Sequence, residues 1–331
     1  MTLLIAQCPG TGSNRNRFYS ELKERETGMK KFAVIINPNA GRRMGKERFE
    51  ALKEIILERE SCKFDTYETV GKEDTIDAAA KYGTGNYDLI MVFGGDGTTN
   101  EVVNGLMKTV SPPPLALFPM GTANDVATHL KIPKNLEAYA EMILDPEVVP
   151  VDVGKAGERF FLNVAAGGLL PELAHKVSSE RKSIFGKFAY YMEGFLEFPK
   201  QFFQTIEIEL ELEGKKETRD TLFFLLANGP IVGGFKNLVP EASLNDGKLD
   251  LLIVESAEFP DMANVFLSFL RKKITPQKGM VYYRVDAFRL NSHQEIDVDV
   301  DGELCGKLPM DFKVVPYALQ LIAPKRKEHP V

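Results

Sequence analysis

One stretch of sequence, residues 90–101, decides the fold: Ile90-Met91-Val92-Phe93-Gly94-Gly95-Asp96-Gly97-Thr98-Thr99-Asn100-Glu101. An apolar strand runs directly into a glycine-rich turn, and a helix follows. Glycine leaves backbone N–H groups unobstructed, and the helix directs its positive end at the same place, so such a turn is typical of a phosphate-binding site. Asp96 is expected to orient the phosphates through a bound cation; stabilisation of the turn itself is the alternative role.

Two more polar loops follow apolar strands in the same way. Residues 32–36 lead into Asn37-Pro38-Asn39-Ala40-Gly41, and residues 115–118 lead into Pro119-Met120-Gly121-Thr122-Ala123-Asn124-Asp125. In an open parallel sheet, loops that leave the carboxyl ends of neighbouring strands converge on one crevice. The three loops together therefore predict a single nucleotide site.

The periodicity of the chain changes near residue 145. Before it, predicted strands near 32–37, 64–70, 90–93 and 115–118 alternate with predicted helices near 44–58, 74–82, 98–108 and from 124 onwards, which indicates a doubly wound α/β domain. After it, Ile206, Ile208 and Leu210 alternate with glutamates, which is typical of strands in an antiparallel β-sandwich. We expect domains at 29–145 and 146–324, with a final strand that can return to the first. Residues 1–28 are expected to be a non-native or disordered extension.

Composition excludes several classes of function. The 331 residues are 44% apolar and 27% charged, and the net charge of −6 argues against a broad nucleic-acid surface. Three widely spaced cysteines indicate a reducing, cytoplasmic setting. No apolar run approaches the roughly 20 residues that span a bilayer, so membrane contact would be peripheral.

The combined motifs resemble the diacylglycerol kinase catalytic family, specifically its bacterial lipid kinases. The motifs are N-P-x-x-G from Asn37, G-G-D-G-T-x-N-E-V from Gly94, G-T-x-N-D from Gly121, and Asp301-Gly302-Glu303. The resemblance extends from about Lys30 to Pro324. It implies a kinase that uses ATP and Mg²⁺ to phosphorylate the hydroxyl of diacylglycerol or a related lipid alcohol.

This resemblance and the loop positions assign candidate residues. Asn37 is expected to hydrogen-bond the nucleotide, Thr69 to line its adenine side and Arg42 to reach a phosphate. The full set of predicted nucleotide-binding residues is Asn37, Arg42, Thr69, Gly94, Gly95, Asp96, Gly97, Thr98, Gly121, Thr122, Asn124 and Asp125.

The acceptor side of the reaction is assigned to the D-G-E motif. Asp301 is expected to be the general base, at a strand end near solvent, and Glu303 to orient it or share its proton. With Asp96, these are the predicted catalytic residues. By resemblance, the Asp246 carboxylate and the backbone carbonyls of Ser243 and Lys248 form a structural Mg²⁺ site. An Asp-Gly turn without metal is the alternative interpretation.

Several questions stay open at this level. Thr128 and Glu193 stand where related kinases usually carry cations, so a lipid alcohol other than diacylglycerol is an alternative acceptor. Basic residues such as Lys182 and Lys187 favour docking to an anionic membrane, or form a solvated face. An NAD kinase-like enzyme and a non-catalytic nucleotide- and lipid-binding regulator are alternative functions, and a homodimer is one allowed assembly.

Overall fold

The computed structural model describes residues 29–168, 205–234, 239, 241–255 and 278–325. The predicted extension at 1–28, the basic residues Lys182 and Lys187, and Glu193 lie outside the described residues. The elements of the first half are β1 (Lys30–Ile36), α1 (Gly45–Arg59), β2 (Cys62–Glu68), α2 (Lys72–Gly83), β3 (Leu89–Gly94), α3 (Asp96–Leu106), β4 (Leu115–Pro119), α4 (Asp125–His129) and α5 (Leu136–Leu144).

The first half is a parallel sheet covered by helices, as the alternating pattern predicted. Strand β1 pairs in parallel with β2 and β3, and β3 pairs in parallel with β4. Every residue of β3 is buried, so both of its faces are covered. Helix α2 packs on α3, and α1 packs on α5. The carboxyl ends of β1, β3 and β4 therefore lie side by side at one edge.

The second half is mainly antiparallel. Its strands are β5 (Glu147–Ala156), β6 (Arg159–Phe161), β7 (Val164–Gly168), β8 (Ile206–Leu212), β9 (Lys215–Ala227), β10 (Leu249–Glu255), β11 (Met280–Val285), β12 (Ala287–Asn291), β13 (Asp297–Val300), β14 (Glu303–Lys307) and β15 (Met310–Ala323). Strand β9 pairs antiparallel with β7, β8 and β10, and β13 pairs with β7 and β14. The antiparallel sandwich predicted from the period-two pattern is confirmed.

Strand β15 joins the two halves. It pairs antiparallel with β12 and β5, and it meets β4 in parallel at Leu321 and Leu115. The buried side chains form one cluster around the parallel sheet and another within the sandwich. Val151, Val153 and Leu321 belong to the first cluster, although they follow residue 145 in sequence. The exact domain division stays a prediction.

Helix α3 lies so close to α2 that only glycine fits at position 105. A Cβ atom on Gly105 would lie 2.6 Å from the Cβ of Ala79 and would also meet the backbone of Ile76. We expect Gly105→Ala to lower the free energy of unfolding by about 1–3 kcal/mol, the usual cost of overpacking. Urea unfolding measures this change.

The control is Gly97→Ala in the same helix, where an added Cβ meets no atom within 4 Å. Alanine has the higher helix propensity, so this substitution is expected to leave stability unchanged or raise it by up to about 1 kcal/mol. Equal effects at the two positions would contradict the close helix packing described here.

Candidate active site

The phosphate-binding turn is shorter than the sequence indicated. Strand β3 ends at Gly94 and helix α3 begins at Asp96, so only Gly95 lies between them. Asp96, Gly97 and Thr98 consequently form the first turn of the helix instead of an independent loop. The first N–H groups of a helix have no partner within the helix, and they carry its positive end. This arrangement suits a polyphosphate.

The loop after β1 is tied to this helix. The Asn37 side chain donates from Nδ2 to Oγ1 of Thr98 at 2.7 Å, and its Oδ1 accepts from the backbone N–H of Asn39. Thr69 is buried and its N–H donates to the carbonyl of Ile36. The polar atoms of Asn37 therefore shape the loops. Its predicted contact with a nucleotide stays a prediction, as does that of Arg42, whose backbone lies in a 3₁₀ turn.

The loop after β4 approaches the turn through two facing glycines. A Cβ atom on Gly121 would lie 2.8 Å from the Cα of Gly95. Asn124 closes this loop on itself, because its Oδ1 accepts from the Gly121 N–H at 2.7 Å and its Nδ2 donates to the Gly121 carbonyl at 2.6 Å. Asn124 has a left-handed φ of 49°. Thr122 is exposed beside it.

Asp96 connects the two glycine loops and keeps acceptor capacity. Its Oδ2 accepts from the N–H of Asn124 at 2.8 Å, and its Oδ1 accepts from the N–H of Asp125 at 3.0 Å. A carboxylate offers about four acceptor positions, so these two bonds occupy half of them. Asp96 thus combines the predicted turn-stabilising role with room for a further ligand.

Asp125 binds the second half of the molecule. It is 3% exposed, and its carboxylate accepts from Asn163 Nδ2 at 2.7 Å and from the N–H groups of Gly233 and Gly234 at 2.6 and 2.8 Å. Burial raises its pKa, and the negative charge of Asp96 adds to the rise. The carboxylate therefore fastens segments of the acceptor half to α4. The predicted contact of Asp125 with a nucleotide stays a prediction.

Asp301 is the most heavily hydrogen-bonded of the predicted catalytic residues. It directly follows β13 with a left-handed φ of 47°. Its Oδ1 accepts from the N–H groups of Asn163 (3.1 Å) and Val164 (2.8 Å), and its Oδ2 accepts from Leu162 N–H (2.9 Å) and Asn100 Nδ2 (2.8 Å). The residue is half-buried between the loop 162–164 and helix α3 and lines a cavity, and its expected place near solvent stays a prediction.

Enclosure also changes the acidity of Asp301. Burial raises its pKa to about 6, and the charge of Asp96 contributes in the same direction. The hydrogen bonds from Leu162, Val164 and Asn100 oppose this rise because they stabilise the ionised form. A carboxyl group with this pKa is ionised at neutral pH and can accept a proton.

Glu303 has partners other than Asp301. Its carboxylate forms ion pairs with Lys72 of α2 and, at 3.4 Å, with Arg159 of β6. The prediction that Glu303 orients Asp301 or shares its proton stays a prediction. Glu303 links β14 to a helix of the first half.

Asp96 and Asp301 face a common cavity between the two halves. Its lining includes Asn100 and Asn163 as well as apolar side chains of β4 and α4. One wall thus comes from the phosphate-binding turn, and another carries the candidate base. This is the arrangement that a phosphoryl donor and an acceptor hydroxyl require.

Comparisons with known proteins identify the family. Residues 31–156 match the diacylglycerol kinase catalytic domain, and residues 168–323 match the YegS C-terminal NAD kinase beta sandwich-like domain. A diacylglycerol kinase from Staphylococcus haemolyticus is 33% identical over 88% of this chain and 88% of its own length. One from Staphylococcus epidermidis is also 33% identical, over 89% of this chain and 93% of its own. The chain belongs to the diacylglycerol kinase family.

A solved structure supports the same assignment. A protein from Bacillus anthracis str. Sterne, assigned as a diacylglycerol kinase, superposes with a TM-score of 0.80. The two sequences are 26% identical, and the superposition covers 90% of this chain and 96% of the Bacillus anthracis protein. The protein is therefore a lipid kinase, and ATP is the phosphoryl donor that this kinase family implies.

The predicted structural Mg²⁺ site stays a prediction, and its carboxylate has other partners in the structure. Asp246 Oδ2 accepts from Arg284 Nη2 at 2.5 Å, and Oδ1 accepts from the N–H of Lys248 at 3.0 Å. The Ser243 hydroxyl donates to Asn245. A guanidinium group thus already neutralises the carboxylate. Within the described ranges, no group of three or more acidic, histidine or cysteine side chains could hold a metal ion. The geometry favours the alternative Asp-Gly turn.

Sequence reasoning missed the buried polar residues that hold the halves together. Asn163 binds Asp125 with its side chain and Asp301 with its N–H. Asp152 is fully buried and accepts from the N–H groups of Gly247 and Tyr317 at 2.7 and 2.8 Å. Each of these residues interrupts an apolar segment of the sequence. A buried polar side chain needs a specific hydrogen-bond partner, so this pattern could have indicated that both residues form such bonds.

Contact of this kinase with a membrane stays a prediction. Among the residues that the structure covers, no helix has the length and apolar composition needed to cross a bilayer. The basic residues predicted to dock on a membrane fall in the undescribed range 169–204.

The contact between Gly95 and Gly121 leads to a test of the nucleotide loops. A Cβ atom at Gly121 would collide with Gly95 and with Asn124 Oδ1, at 2.8 and 2.9 Å. We expect Gly121→Ala to separate the two loops and to weaken ATP binding by about tenfold or more, equivalent to at least about 1.4 kcal/mol. Isothermal calorimetry measures the affinity.

Gly71→Ala is the matched control, since Gly71 lies in a βα connection with no atom within 4 Å of an added Cβ. Its extended φ of 179° is open to any residue. Its ATP affinity should equal that of the wild type. Unchanged affinity in Gly121→Ala as well would remove the loop after β4 from the nucleotide site.

Proposed function

We propose that this protein transfers the γ-phosphoryl group of ATP to the hydroxyl of diacylglycerol or a related lipid alcohol at the cytoplasmic face of the membrane. The observation that carries the proposal is the shared cavity of Asp96 and Asp301, one at the phosphate-binding turn and one on the acceptor half. The names of the staphylococcal relatives support diacylglycerol as the first acceptor to test.

The donor side is assigned to the first turn of α3. Backbone N–H groups at Gly95 and Gly97 and the positive end of the helix would hold the phosphates. Bound Mg²⁺ would neutralise phosphoryl charge, and Asp96 is the residue that would hold it, because half of its acceptor positions are not used by the two loop N–H groups.

The acceptor side is assigned to Asp301. The lipid hydroxyl gives its proton to the Asp301 carboxylate while its oxygen bonds to the γ-phosphorus. The bond from that phosphorus to the bridging oxygen breaks, and ADP leaves with the bond electrons. A carboxyl group with a pKa of about 6 is suited to this step, because it is ionised at pH 7 yet more basic than an ordinary aspartate.

The lipid acceptor is the first measurement. The protein is incubated with γ-labelled ATP, Mg²⁺ and vesicles that contain diacylglycerol, a second lipid alcohol, or neither, and with NAD in a separate reaction. Labelled phosphatidic acid is expected. Label in another lipid would change the acceptor, label in NAD would favour the small-molecule kinase, and ATP binding without transfer would favour a regulator. Light scattering of the same sample tests for a homodimer.

Removal of the proposed base is the second measurement. We expect Asp301→Asn to lower kcat by at least about a hundredfold, the lower range for the loss of a general base, while ATP affinity barely changes. Circular dichroism controls for folding, because this carboxylate also binds three backbone N–H groups. Turnover close to that of the wild type would contradict the assignment.

The pH dependence follows from the same carboxylate. Only ionised Asp301 accepts a proton, so kcat/KM should be constant above about pH 6 and fall about tenfold for each unit below it. Its folded pKa is above its ordinary 3.8, so the folded state binds the proton more tightly and this group stabilises the fold as pH falls from 6 to 3.8. Protonation of Asp301 therefore does not unfold the protein, and unfolding through this group is not the reason for activity lost below pH 6. A kcat/KM that stays constant down to pH 5 would contradict the prediction.

A further inference from the structure

The four hydrogen bonds to Asp301 come from two kinds of donor. Leu162, Asn163 and Val164 donate backbone N–H groups from one loop, and Asn100 donates from its side chain. Each oxygen of the carboxylate accepts two of these bonds. The three backbone donors are fixed by the chain itself. Of these four donors, only the Asn100 side chain can be removed by a substitution.

The orientation of the Asn100 amide is fixed by its surroundings. The residue is 1% exposed. Its two N–H bonds go to Asp301 and to the carbonyl of Phe160 at 3.0 Å, while its Oδ1 accepts from Asn104 Nδ2 at 3.1 Å. Asn104 is fixed in turn, because its Oδ1 accepts from the Phe160 N–H. The donor end of Asn100 therefore faces the carboxylate.

Asn100 also connects the two sides of the reaction. It lies four residues after Asp96 in α3, and residues at this spacing share one face of a helix. Asp96, Asn100 and Asp301 all line the same cavity. A single rigid helix thus carries the phosphate-binding turn at its start and a hydrogen bond to the proposed base one turn later.

We propose that Asn100 is a positioning residue of the phosphoryl transfer, which keeps the Asp301 carboxylate ionised and in place at the cavity. This inference rests on the proposed function, in which Asp301 is the general base. Asn100 touches neither phosphate nor lipid in this arrangement and acts through Asp301.

The electrostatic surroundings set the direction of the expected effect. Burial and the charge of Asp96 raise the pKa of Asp301, whereas the hydrogen bond from Asn100 lowers it. Within the described residues, the other charged groups near this junction are Glu101 of α3, Asp125 of α4 beyond Asn163, and the ion-paired Glu303, Lys72 and Arg159. These groups are present in the variants as well, so loss of the Asn100 donor should raise the pKa further.

The test compares the pH profile of kcat/KM, in the lipid-vesicle assay, for the wild type and Asn100→Ala. We expect the acid limb to move upwards by about one pH unit, in keeping with the loss of a hydrogen bond to a charged group. The variant should be about tenfold less active than the wild type on the acid limb and approach it at high pH. A purely structural defect would lower activity by a similar factor at every pH.

Asn228→Ala is the matched control. Asn228 is fully buried, and its Nδ2 donates two hydrogen bonds, to the carbonyls of Leu162 and Asp152. It anchors the same loop as Asn100 but does so without binding the Asp301 carboxylate. Its acid limb should stay at the wild-type pH even if kcat falls. Asn104→Ser, which releases the Asn100 amide more mildly, should move the limb in the same direction by less.

The outcomes separate this inference from the proposed function. If Asp301→Asn remains active, the base assignment fails. If Asp301→Asn is inactive but neither Asn100→Ala nor Asn104→Ser moves the limb, only the role of Asn100 is overturned. Equal limb shifts in Asn228→Ala and Asn100→Ala would also overturn it, since they would indicate loosening of the loop. Should Asn100→Ala fail to fold, the Asn104→Ser profile decides the question.

Discussion

The site depends on hydrogen bonds from backbone N–H groups to carboxylates that are buried or half-buried. Asp301 accepts three consecutive N–H groups from 162–164, Asp125 accepts those of Gly233 and Gly234, and Asp96 accepts two more from the loop after β4. These N–H groups lie in loops or at the first residue of a strand or helix, where they have no strand or helix partner. A carboxylate satisfies several at once, and a hydrogen bond to a charged group is stronger than one between neutral groups.

The same bonds decide how the two halves meet. Asp125 belongs to α4 of the first half but binds the second, and Asn163 of the second half binds both Asp125 and Asp301. The glycine-rich loops are thereby joined to the acceptor half through side chains that lie next to the cavity. A change in any one of these carboxylates is expected to affect both the contact between the two halves and the chemistry at the cavity, because the same residues contribute to both.

The strands, the helices and the meeting of the three loops could be predicted from the sequence. The surroundings of Asp301 could not, for a physical reason. The strand and helix periods were strong signals, and the three loops do meet at one edge. Asp301 was expected at a strand end near solvent because Gly302 turns the chain directly after it. Its four hydrogen-bond donors, from 162–164 and Asn100, lie far away in sequence and were not predicted. The periodicity of a sequence indicates local structure and does not show which residues far apart in the chain will pair.

Glu303 and Asp246 also have partners that the sequence did not predict, and in both cases the partner is a cation. Each has a position that suits the role the motif suggested, yet each carboxylate is paired with a distant cation, Lys72 in one case and Arg284 in the other. An exposed ion pair of this kind contributes little to stability, but it removes a carboxylate from competition for metal or proton. The carboxylates left for chemistry are then Asp96, with acceptor capacity to spare, and Asp301, which lies with it at the cavity. Within the described residues, Asp96 and Asp301 form no ion pair, which supports the roles that we propose for them.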